Sequence, residues 1–253
     1  MPSCLVVQHV APEGPFAIHR ALDAARVDVD LCRVYAGDPL PVRLASEFGG
    51  VVVMGGPMSA ARDEGFETRQ HEMALLREAV ELGLPTLGVC LGAQLLAGAT
   101  GGRVVTGAAG PEIGWAPVRF TREAASDPLF AAVPDSLVVL HWHGETYELP
   151  VGAVHLAESA RYRQQAFRVG PRAWGLQFHL EVDEVAVAQF LGAFGEDLPA
   201  AGTTPTIVST GTPVALEALA PFRDEILARF ATLVAGPSAP PDRESVEAFA
   251  DPV

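Results

Sequence analysis

The sequence predicts an α/β fold with a mainly parallel β-sheet, to which antiparallel strands are added in the second half of the chain. In the first half, short apolar runs alternate with helical patterns, which is typical of βαβ units. In the second half, strand-like runs follow one another with few helical patterns between them. The 253 residues, of which 49% are hydrophobic and 19% charged, have an ordinary globular composition and can bury a large core.

Each apolar run of the first half is short enough for a buried strand. In the helix predicted for residues 68–82, Met73, Leu76 and Val80 recur at helical spacing, and Gly83 ends the pattern. In chain order, the predicted elements are strand 5–7, helix 15–25, strand 27–34, strand 51–54, helix 68–82, strand 84–89 and helix 92–99.

The second half is predicted to hold mostly strands, followed by two helices. Residues 199–213, rich in Thr, Pro and Gly, are predicted as a loop between these helices. Residues 236–253 combine prolines with acidic residues, which predicts a flexible tail behind a domain of residues 1–235. The predicted strands are 112–120, 136–142, 153–158, 165–169 and 173–179, and the predicted helices are 183–194 and 222–234.

Charge and cysteine content exclude several classes of function. With 17 basic and 31 acidic residues the net charge is −14, so neither nucleic acid nor an anionic membrane is an expected partner. All basic residues are arginine, which excludes a Schiff-base or phosphate-loop lysine. Cys4, Cys32 and Cys90 are scattered, and no signal peptide or membrane span is evident, so a cytoplasmic protein with free thiols is expected.

One cysteine lies between a predicted strand and a predicted helix, in the segment Gly88-Val89-Cys90-Leu91-Gly92. The pattern Gly-x-Cys-x-Gly is the cysteine version of the turn that presents a nucleophile at the carboxyl end of a strand. The glycines remove Cβ atoms that would clash in so tight a turn, and the helix N-terminus favours the thiolate. Cys90 is therefore a candidate nucleophile, the alternative being a buried cysteine at a Gly-rich strand end.

A histidine and a glutamate, two residues apart, end the last predicted strand. Residues i and i+2 of a strand share one face, so Glu181 can accept a hydrogen bond from His179 and fix its tautomer. The other ring nitrogen can then accept the proton of Cys90. The alternative is a histidine satisfied within the core, but the combination with the cysteine motif favours catalysis.

A glycine pair follows the strand predicted at 51–54. Backbone N–H groups beside Gly55 and Gly56 can face a developing oxyanion, with the N–H of Leu91 as the second donor. Taken alone, Gly55-Gly56-Pro57 is an ordinary turn, and only the other two motifs favour an oxyanion hole.

Together these motifs resemble those of the class I, or triad, glutamine amidotransferases. The resemblance covers roughly residues 3–195, with the motifs in the family's order. Residues 110–115 and 141–145 are most similar to stand-alone members that resemble the amidotransferase domain of GMP synthase. The motifs that carry the resemblance are Gly55-Gly56-Pro57, Gly88-Val89-Cys90-Leu91-Gly92-Ala93-Gln94 and Gln177-Phe178-His179-Leu180-Glu181-Val182.

The resemblance implies a flavodoxin-like three-layer sandwich and thioester chemistry without a cofactor. Cys90 would attack the side-chain amide of glutamine or of another γ-glutamyl compound. His179 would act first as base and then as acid, and Glu181 would orient it. The residues implied for the oxyanion hole are Gly56 and Leu91, and those implied for substrate binding are Gln94, Gly55 and His143.

Departures from the family pattern leave the acceptor of ammonia open. Leu180 stands where the family most often has proline, at a position that points away from the His179–Glu181 face. No synthetase domain follows the family-like region, so ammonia would pass to a separate synthetase subunit. The alternatives are a stand-alone γ-glutamyl hydrolase, a non-catalytic binding or regulatory relative, and a flavodoxin-like protease or chaperone. The sequence does not define an oligomeric state.

The pair His141 and His143 has the spacing of two metal ligands on one strand face. No third ligand with supporting spacing is evident, so the sequence predicts no metal site. A structural role, or a place near the substrate pocket together with Glu145, is expected instead.

Overall fold

Strands and helices alternate up to Ala99, and strands then predominate until Leu176. The computed structural model describes residues 2–44 and 48–236, so the tail predicted at 236–253 lies outside the described residues except for Gly236. The strands are β1 (Ser3–Gln8), β2 (Asp28–Arg33), β3 (Gly50–Val53), β4 (Thr86–Val89), β5 (Arg103–Thr106), β6 (Glu112–Phe120), β7 (Ser136–His143), β8 (Glu145–Glu148), β9 (Val154–Glu158), β10 (Ala166–Val169) and β11 (Ala173–Leu176). The α-helices are α1 (Phe16–Ala24), α2 (Arg69–Leu82), α3 (Leu91–Ala99), α4 (Glu184–Phe194) and α5 (Pro205–Ala235). Short 3₁₀ helices cover Val34–Ala36, Arg122–Ser126 and Gly195–Ala201.

In the described chain, a sheet of nine strands has the order β2-β1-β3-β4-β11-β10-β9-β6-β7. From β2 to β11 in this order, neighbours pair in parallel. From β11 to β7 they pair antiparallel. The predicted fold class, α/β with antiparallel additions, is therefore confirmed. Because β4 and β11 are parallel neighbours, their carboxyl ends open at the same edge of the sheet.

Helices cover both faces of this sheet. Cys4 of β1 packs in a core with Leu22 of α1 and Phe230 of α5. Leu5, the next residue of β1, points to the other side and packs in a core with Leu76 of α2 and with α3. The alternation along β1 thus produces the two cores of a three-layer sandwich.

The prediction of a loop at residues 199–213 is wrong for most of this segment. α5 begins at Pro205 and continues to Ala235, so it includes the helix predicted at 222–234. Thr204 caps this helix by accepting a hydrogen bond from the N–H of Ile207, and proline is favourable in a first helical turn.

Burial along one side of α5 explains why its composition does not break it. A proline inside a helix removes a backbone hydrogen bond and costs about 3 kcal/mol or more, and α5 contains Pro213 and Pro221. Tertiary packing offsets this cost. The buried side chains before Pro221 are Val208, Thr212, Ala215 and Leu219. None of the described helices is long and apolar enough to cross a membrane.

The last predicted strand is too long at its carboxyl end. β11 ends at Leu176, and His179 forms only an isolated antiparallel bridge with Leu140 of β7. The turn after β11, rather than a shared strand face, therefore brings His179 and Glu181 together. The small second sheet of β5 and β8 is also absent from the sequence-based prediction.

Candidate active site

Cys90 occupies the sharp turn between β4 and α3. Its backbone angles, φ 51° and ψ −104°, are unusual for a residue with a side chain. The N–H of Cys90 donates to the carbonyl of Leu176 at 2.7 Å, and its own carbonyl accepts from Ala93 and Gln94. The strained turn expected from the Gly-x-Cys-x-Gly spacing is therefore present, and it is tied to the end of β11.

Neighbouring backbone comes so close to Gly88 and Gly92 that only glycine fits on either side of Cys90. A Cβ on Gly88 would overlap the carbonyl of Gly92 and lie 2.7 Å from the N atom of Ala93. A Cβ on Gly92 would overlap the carbonyl oxygen of Val53 and lie 2.7 Å from its carbon. Side-chain rotation cannot relieve contacts with backbone atoms, so any side chain here would push α3 away from β3 and β4.

Gly92→Ala should lower the free energy of unfolding by about 3 kcal/mol or more, because the added methyl group overpacks the core against fixed backbone. A matched control is Gly192→Ala in α4, where nothing lies within 4 Å of an added Cβ. That change should raise the free energy of unfolding by about 0.5–1 kcal/mol, because alanine favours the helix. Urea unfolding measures both, and equal effects would contradict the tight packing of the turn.

His179 and Glu181 lie in the segment that follows β11. Nδ1 of His179 donates to Oε1 of Glu181 over 2.8 Å, and both side chains are buried. The ring packs edge-on against Phe190, with ring centres 4.9 Å apart. Sγ of Cys90 donates to the carbonyl of Trp142 at 3.6 Å and lies close enough to the His179 ring to interact with it. Nε2 of His179 has no hydrogen-bond partner of standard geometry among the described residues. This nitrogen is therefore left for the thiol.

The pKa values of His179 and Cys90 are both raised, for different reasons. Burial alone would lower the pKa of His179, but the charge of Glu181 and the interactions with Cys90 raise it well above its usual value of 6.5. Burial raises the pKa of the Cys90 thiol, and the interaction with His179 opposes this only in part. Burial therefore opposes the thiolate that the helix N-terminus is expected to favour.

Gly55 and Gly56 follow β3 and border the same site. A Cβ on Gly56 would lie 2.9 Å from the side chain of Leu91, so the two residues expected to donate to an oxyanion are neighbours. A Cβ on Gly55 would overlap the carboxylate of Glu13 and lie 3.2 Å from Cε1 of His179. The glycine pair therefore makes room for two titratable side chains.

His9 and Glu72 form a buried ion pair that no sequence motif indicates. Nδ1 of His9 donates to the carbonyl of Gly55 at 3.0 Å, and Nε2 donates to Oε2 of Glu72 at 2.7 Å. Burial lowers the pKa of His9, but the hydrogen bond and charge of Glu72 outweigh it and the net pKa is raised. This pair holds the backbone of Gly55. One sequence feature could have indicated this contact. His9 directly follows β1, and β1 is a parallel neighbour of β3.

Glu13 is a second functional candidate that the sequence did not reveal. The residue is 5% exposed, and its Oε2 has no hydrogen-bond partner among the residues that the structure describes. Burial raises the pKa of this carboxyl from 4.5 to about 7, although the charges of His179 and His9 oppose the shift. Burial thus brings the pKa of Glu13 close to neutral pH, beside the ring of His179.

The raised pKa of Glu13 predicts a pH-dependent stability. A carboxyl group with a higher pKa in the folded state contributes stability that is fully present below its unfolded pKa of 4.5 and lost as pH rises through about 7. This difference corresponds to roughly 3 kcal/mol. Because Glu13→Gln cannot titrate, its unfolding free energy should gain roughly 3 kcal/mol relative to wild type between pH 4.5 and 8.

Urea unfolding at several pH values measures this difference. The exposed Glu123→Gln is the control and should show no such trend. A difference between Glu13→Gln and wild type that stays constant with pH would contradict the raised pKa of Glu13.

A cavity of about 540 Å³ opens at this edge of the sheet. The thiol-bearing turn forms part of its wall, opposite residues of β7 and β8. The lining residues used below are Glu13, Gly56, Cys90, Gln94, His143 and Glu145. The structure thus brings residues from four separate sequence segments to one opening.

Gln94 and His143, two of the expected substrate-binding residues, already make polar contacts within the protein. Nε2 of Gln94 donates to the carbonyl of Glu145 at 3.2 Å and to Oε1 of Gln177 at 3.3 Å. Nδ1 of His143 donates to the carbonyl of Glu145 at 3.0 Å, and its Nε2 lies 3.3 Å from Oε2 of Glu112. Both ring nitrogens of His143 therefore face protein atoms, and the ring lines the cavity.

Glu112 lies beside the histidine pair as a third potential metal ligand, which spacing along the sequence did not indicate. It lies opposite His143 in the antiparallel pair of β6 and β7. Its Oε2 is also 3.5 Å from Nδ1 of His141. Spacing along the chain could not reveal this carboxylate, because pairing between strands brings it in.

Solved structures of glutamine amidotransferases share this architecture. A glutamine amidotransferase from Thermotoga maritima matches with a TM-score of 0.82 and 29% identity, covering 91% of this chain and 98% of that chain. A glutamine amidotransferase from Methylobacillus flagellatus matches with a TM-score of 0.81 and 29% identity, covering 90% and 93%. The fold thus defines an α/β protein of the amidotransferase type.

Sequence relatives agree with the fold. The family described as glutamine amidotransferase class-I matches residues 16–188. The glutamine amidotransferase-like protein YfeJ of Salmonella typhimurium is 34% identical over 186 residues, which cover 68% of this chain and 77% of that protein. The glutamine-hydrolyzing GMP synthase of Streptococcus equi subsp. zooepidemicus is 37% identical over 137 residues, which cover 53% of this chain and 24% of that protein. The chain belongs to the class I glutamine amidotransferase family, as its motifs predict.

Proposed function

We propose that this protein hydrolyses the side-chain amide of glutamine through a thioester on Cys90, within an amidotransferase domain of residues 1–235. The position of Cys90 carries this proposal. Its thiol sits on a strained turn, interacts with the His179–Glu181 pair and lies in the wall of the cavity of about 540 Å³. Membership of the class I family supports the reaction class.

The proposed reaction has two covalent steps. Sγ of Cys90 bonds to the γ-carbonyl carbon while the thiol proton passes to Nε2 of His179. The C–N bond then breaks, and His179 returns the proton to the nitrogen, which leaves as ammonia. Water then gives a proton to His179 as its oxygen bonds to the carbonyl carbon, the C–S bond breaks, and His179 returns the proton to Sγ, so that the products are glutamate and the free thiol.

The surroundings support each step. The raised pKa of His179 makes it a stronger base, and the raised pKa of Cys90 makes its thiolate more nucleophilic once formed. Glu181 fixes the His179 tautomer through the 2.8 Å hydrogen bond. The N–H groups of Gly56 and Leu91 would stabilise the oxyanion, each by about 2.7–4 kcal/mol. Substrate would lie against Gln94, Gly55 and His143.

We propose that a synthetase partner accepts the ammonia. The chain spans about a quarter of the length of the GMP synthase relative, which is named as glutamine-hydrolyzing. A partner that covers the cavity mouth would receive the ammonia before it reaches solvent.

The size of the cavity favours a second candidate, a γ-glutamyl hydrolase that acts on a conjugate. Pockets of about 300–1,000 Å³ hold drug-sized ligands. A cavity of about 540 Å³ therefore has room for a γ-glutamyl peptide or amine larger than glutamine.

The test is to incubate the purified protein with glutamine and with a panel of γ-glutamyl amines and peptides, and to measure glutamate release. In parallel, the protein is treated with iodoacetamide with and without glutamine, and alkylation of each cysteine is mapped by mass spectrometry. Cys4 and Cys32, both buried, serve as internal comparisons. Release from glutamine, with protection of Cys90 by glutamine, is the expected result.

The other outcomes separate the alternatives. Faster release from a conjugate than from glutamine would replace the proposal with a γ-glutamyl hydrolase. An absence of release from every compound, with Cys90 unreactive, would overturn the enzyme and leave a binding or regulatory relative.

A further inference from the structure

A cluster of three potential metal ligands lies beside the cavity, apart from the proposed thioester chemistry. Glu112, His141 and His143 are all buried, and one ligand atom from each lies within 4.8 Å of the others. His141 and His143 alternate onto one face of β7, and Glu112 stands opposite His143 on β6. The sheet therefore fixes all three side chains.

Two of the three distances between the donor atoms match those of a tetrahedral cation site. Nε2 of His143 lies 3.3 Å and Nδ1 of His141 lies 3.5 Å from Oε2 of Glu112. Zinc binds nitrogen and oxygen at about 2.0–2.2 Å, so ligand atoms of a tetrahedral site stand about 3.3–3.5 Å apart. Two histidines and one carboxylate are also a ligand set that zinc uses.

The surrounding contacts orient His143 as a ligand. Its Nδ1 donates to the carbonyl of Glu145 at 3.0 Å, and Nε2, which would be the metal-binding nitrogen, faces Glu112. Metal-binding histidines commonly donate their other ring N–H to a carbonyl in this way. A hydrogen bond from Nε2 to the carboxylate also fits this contact, and a cation between the two atoms would take its place.

Unpaired polar atoms give an independent reason to expect a ligand. The ring of His141 is 0% exposed, and neither of its nitrogens has a hydrogen-bond partner of standard geometry among the described residues, although the ring lies near the backbone of Ala116. Oε1 of the fully buried Gln165 is likewise unpaired within the described chain. Leaving such groups without a partner costs about 1–3 kcal/mol each.

Gln165 offers a fourth ligand. Its Nε2 lies 2.8 Å from Oε2 of Glu112 and 3.4 Å from Nε2 of His143. Turning the amide by half a rotation exchanges its nitrogen and oxygen, and the unpaired Oε1 then takes this position.

We propose that Glu112, His141 and His143, with Gln165, bind one Zn²⁺ ion or a similar divalent transition metal. The ion would join β6, β7 and the segment before β10 at the cavity wall. His143 would then act on the substrate pocket through the position of its ring. The competing arrangement is a metal-free cluster in which Glu112 accepts hydrogen bonds from Ser159 and Gln165.

The experiment uses the full chain carrying Cys90→Ala, because a Cys90–His179 pair can itself bind zinc. After removal of bound metal with a chelator and dialysis, Zn²⁺ binding is measured by calorimetry, and Co²⁺ is added as a spectroscopic probe. We expect one ion per chain, and a Co²⁺ absorption spectrum of the tetrahedral nitrogen–oxygen type.

Variants locate the site. Glu112→Gln and His141→Asn, each added to Cys90→Ala, should weaken Zn²⁺ binding at least about 100-fold. The exposed His19→Asn should leave it unchanged. Thermal unfolding of each metal-free variant shows whether it is folded.

Two results would overturn the proposal. One is no stoichiometric Zn²⁺ binding and no tetrahedral Co²⁺ spectrum in Cys90→Ala, which would establish the metal-free cluster. The other is binding that persists unchanged in folded Glu112→Gln and His141→Asn. If both variants fail to fold, the Co²⁺ spectrum and stoichiometry of Cys90→Ala decide.

Discussion

Replacing Cys90 with alanine should lower glutamate release from glutamine by about four orders of magnitude or more. Without Sγ no thioester can form, and only substrate binding and the oxyanion donors remain. The turn should survive, because alanine has the same Cβ as cysteine and no new atom enters the contacts with Leu176 and Gly92. Steady-state glutamate release measures the loss of kcat, and thermal unfolding confirms that the fold is kept.

Cys4→Ala is the matched control. Cys4 is also a buried free thiol, but it lies in β1 within the core beneath α1 and α5. Its replacement should leave kcat within about twofold of wild type, with a modest loss of stability. Activity of Cys90→Ala within tenfold of wild type would exclude the thioester route.

Glu181→Gln should lower kcat by about 10²–10⁴-fold with little change in KM. The carboxylate accepts from Nδ1 of His179, and its charge raises the pKa of that ring. An amide of the same shape can donate to Nδ1 instead, which places the ring proton on Nε2, where it faces the thiol of Cys90. The variant thus keeps the packing and removes both the correct tautomer and the charge.

Measurement of kcat and KM over a range of pH separates this effect from a structural one. A structural loss would change KM and stability, whereas loss of the charge should also lower the pKa that governs kcat. Glu123→Gln, on the surface of a 3₁₀ helix, should behave as wild type. Unchanged kcat in Glu181→Gln would remove Glu181 from the mechanism.

Short sequence motifs are sufficient to predict those parts of the site that residues close in sequence form. Gly88 and Gly92 predict the turn at Cys90 because a Cβ at either position meets backbone within the same strand–turn–helix unit or its neighbour. The spacing of His179 and Glu181 predicts their contact, although a turn rather than a strand produces it.

Features that depend on strand order could not be predicted from spacing. Glu13 and Glu72 reach the site because β1 and β3 are neighbours and α2 packs over them. Glu112 meets His143 through the register of β6 and β7. The early part of α5 was missed for a different reason, since its local composition opposes a helix and only burial of side chains such as Val208 and Leu219 stabilises it.

The position of β11 between β4 and β10 also sets the order in which the molecule can assemble. Before residues 173–176 are synthesised, the sheet can form only as two separate pieces, β2-β1-β3-β4 and β10-β9-β6-β7. Contacts between such distant segments form slowly, because the intervening chain must first be ordered. Cys90 belongs to the first piece, and His179 follows the strand that joins the two. The nascent chain therefore carries its thiol without the histidine beside it while residues 91–178 are synthesised.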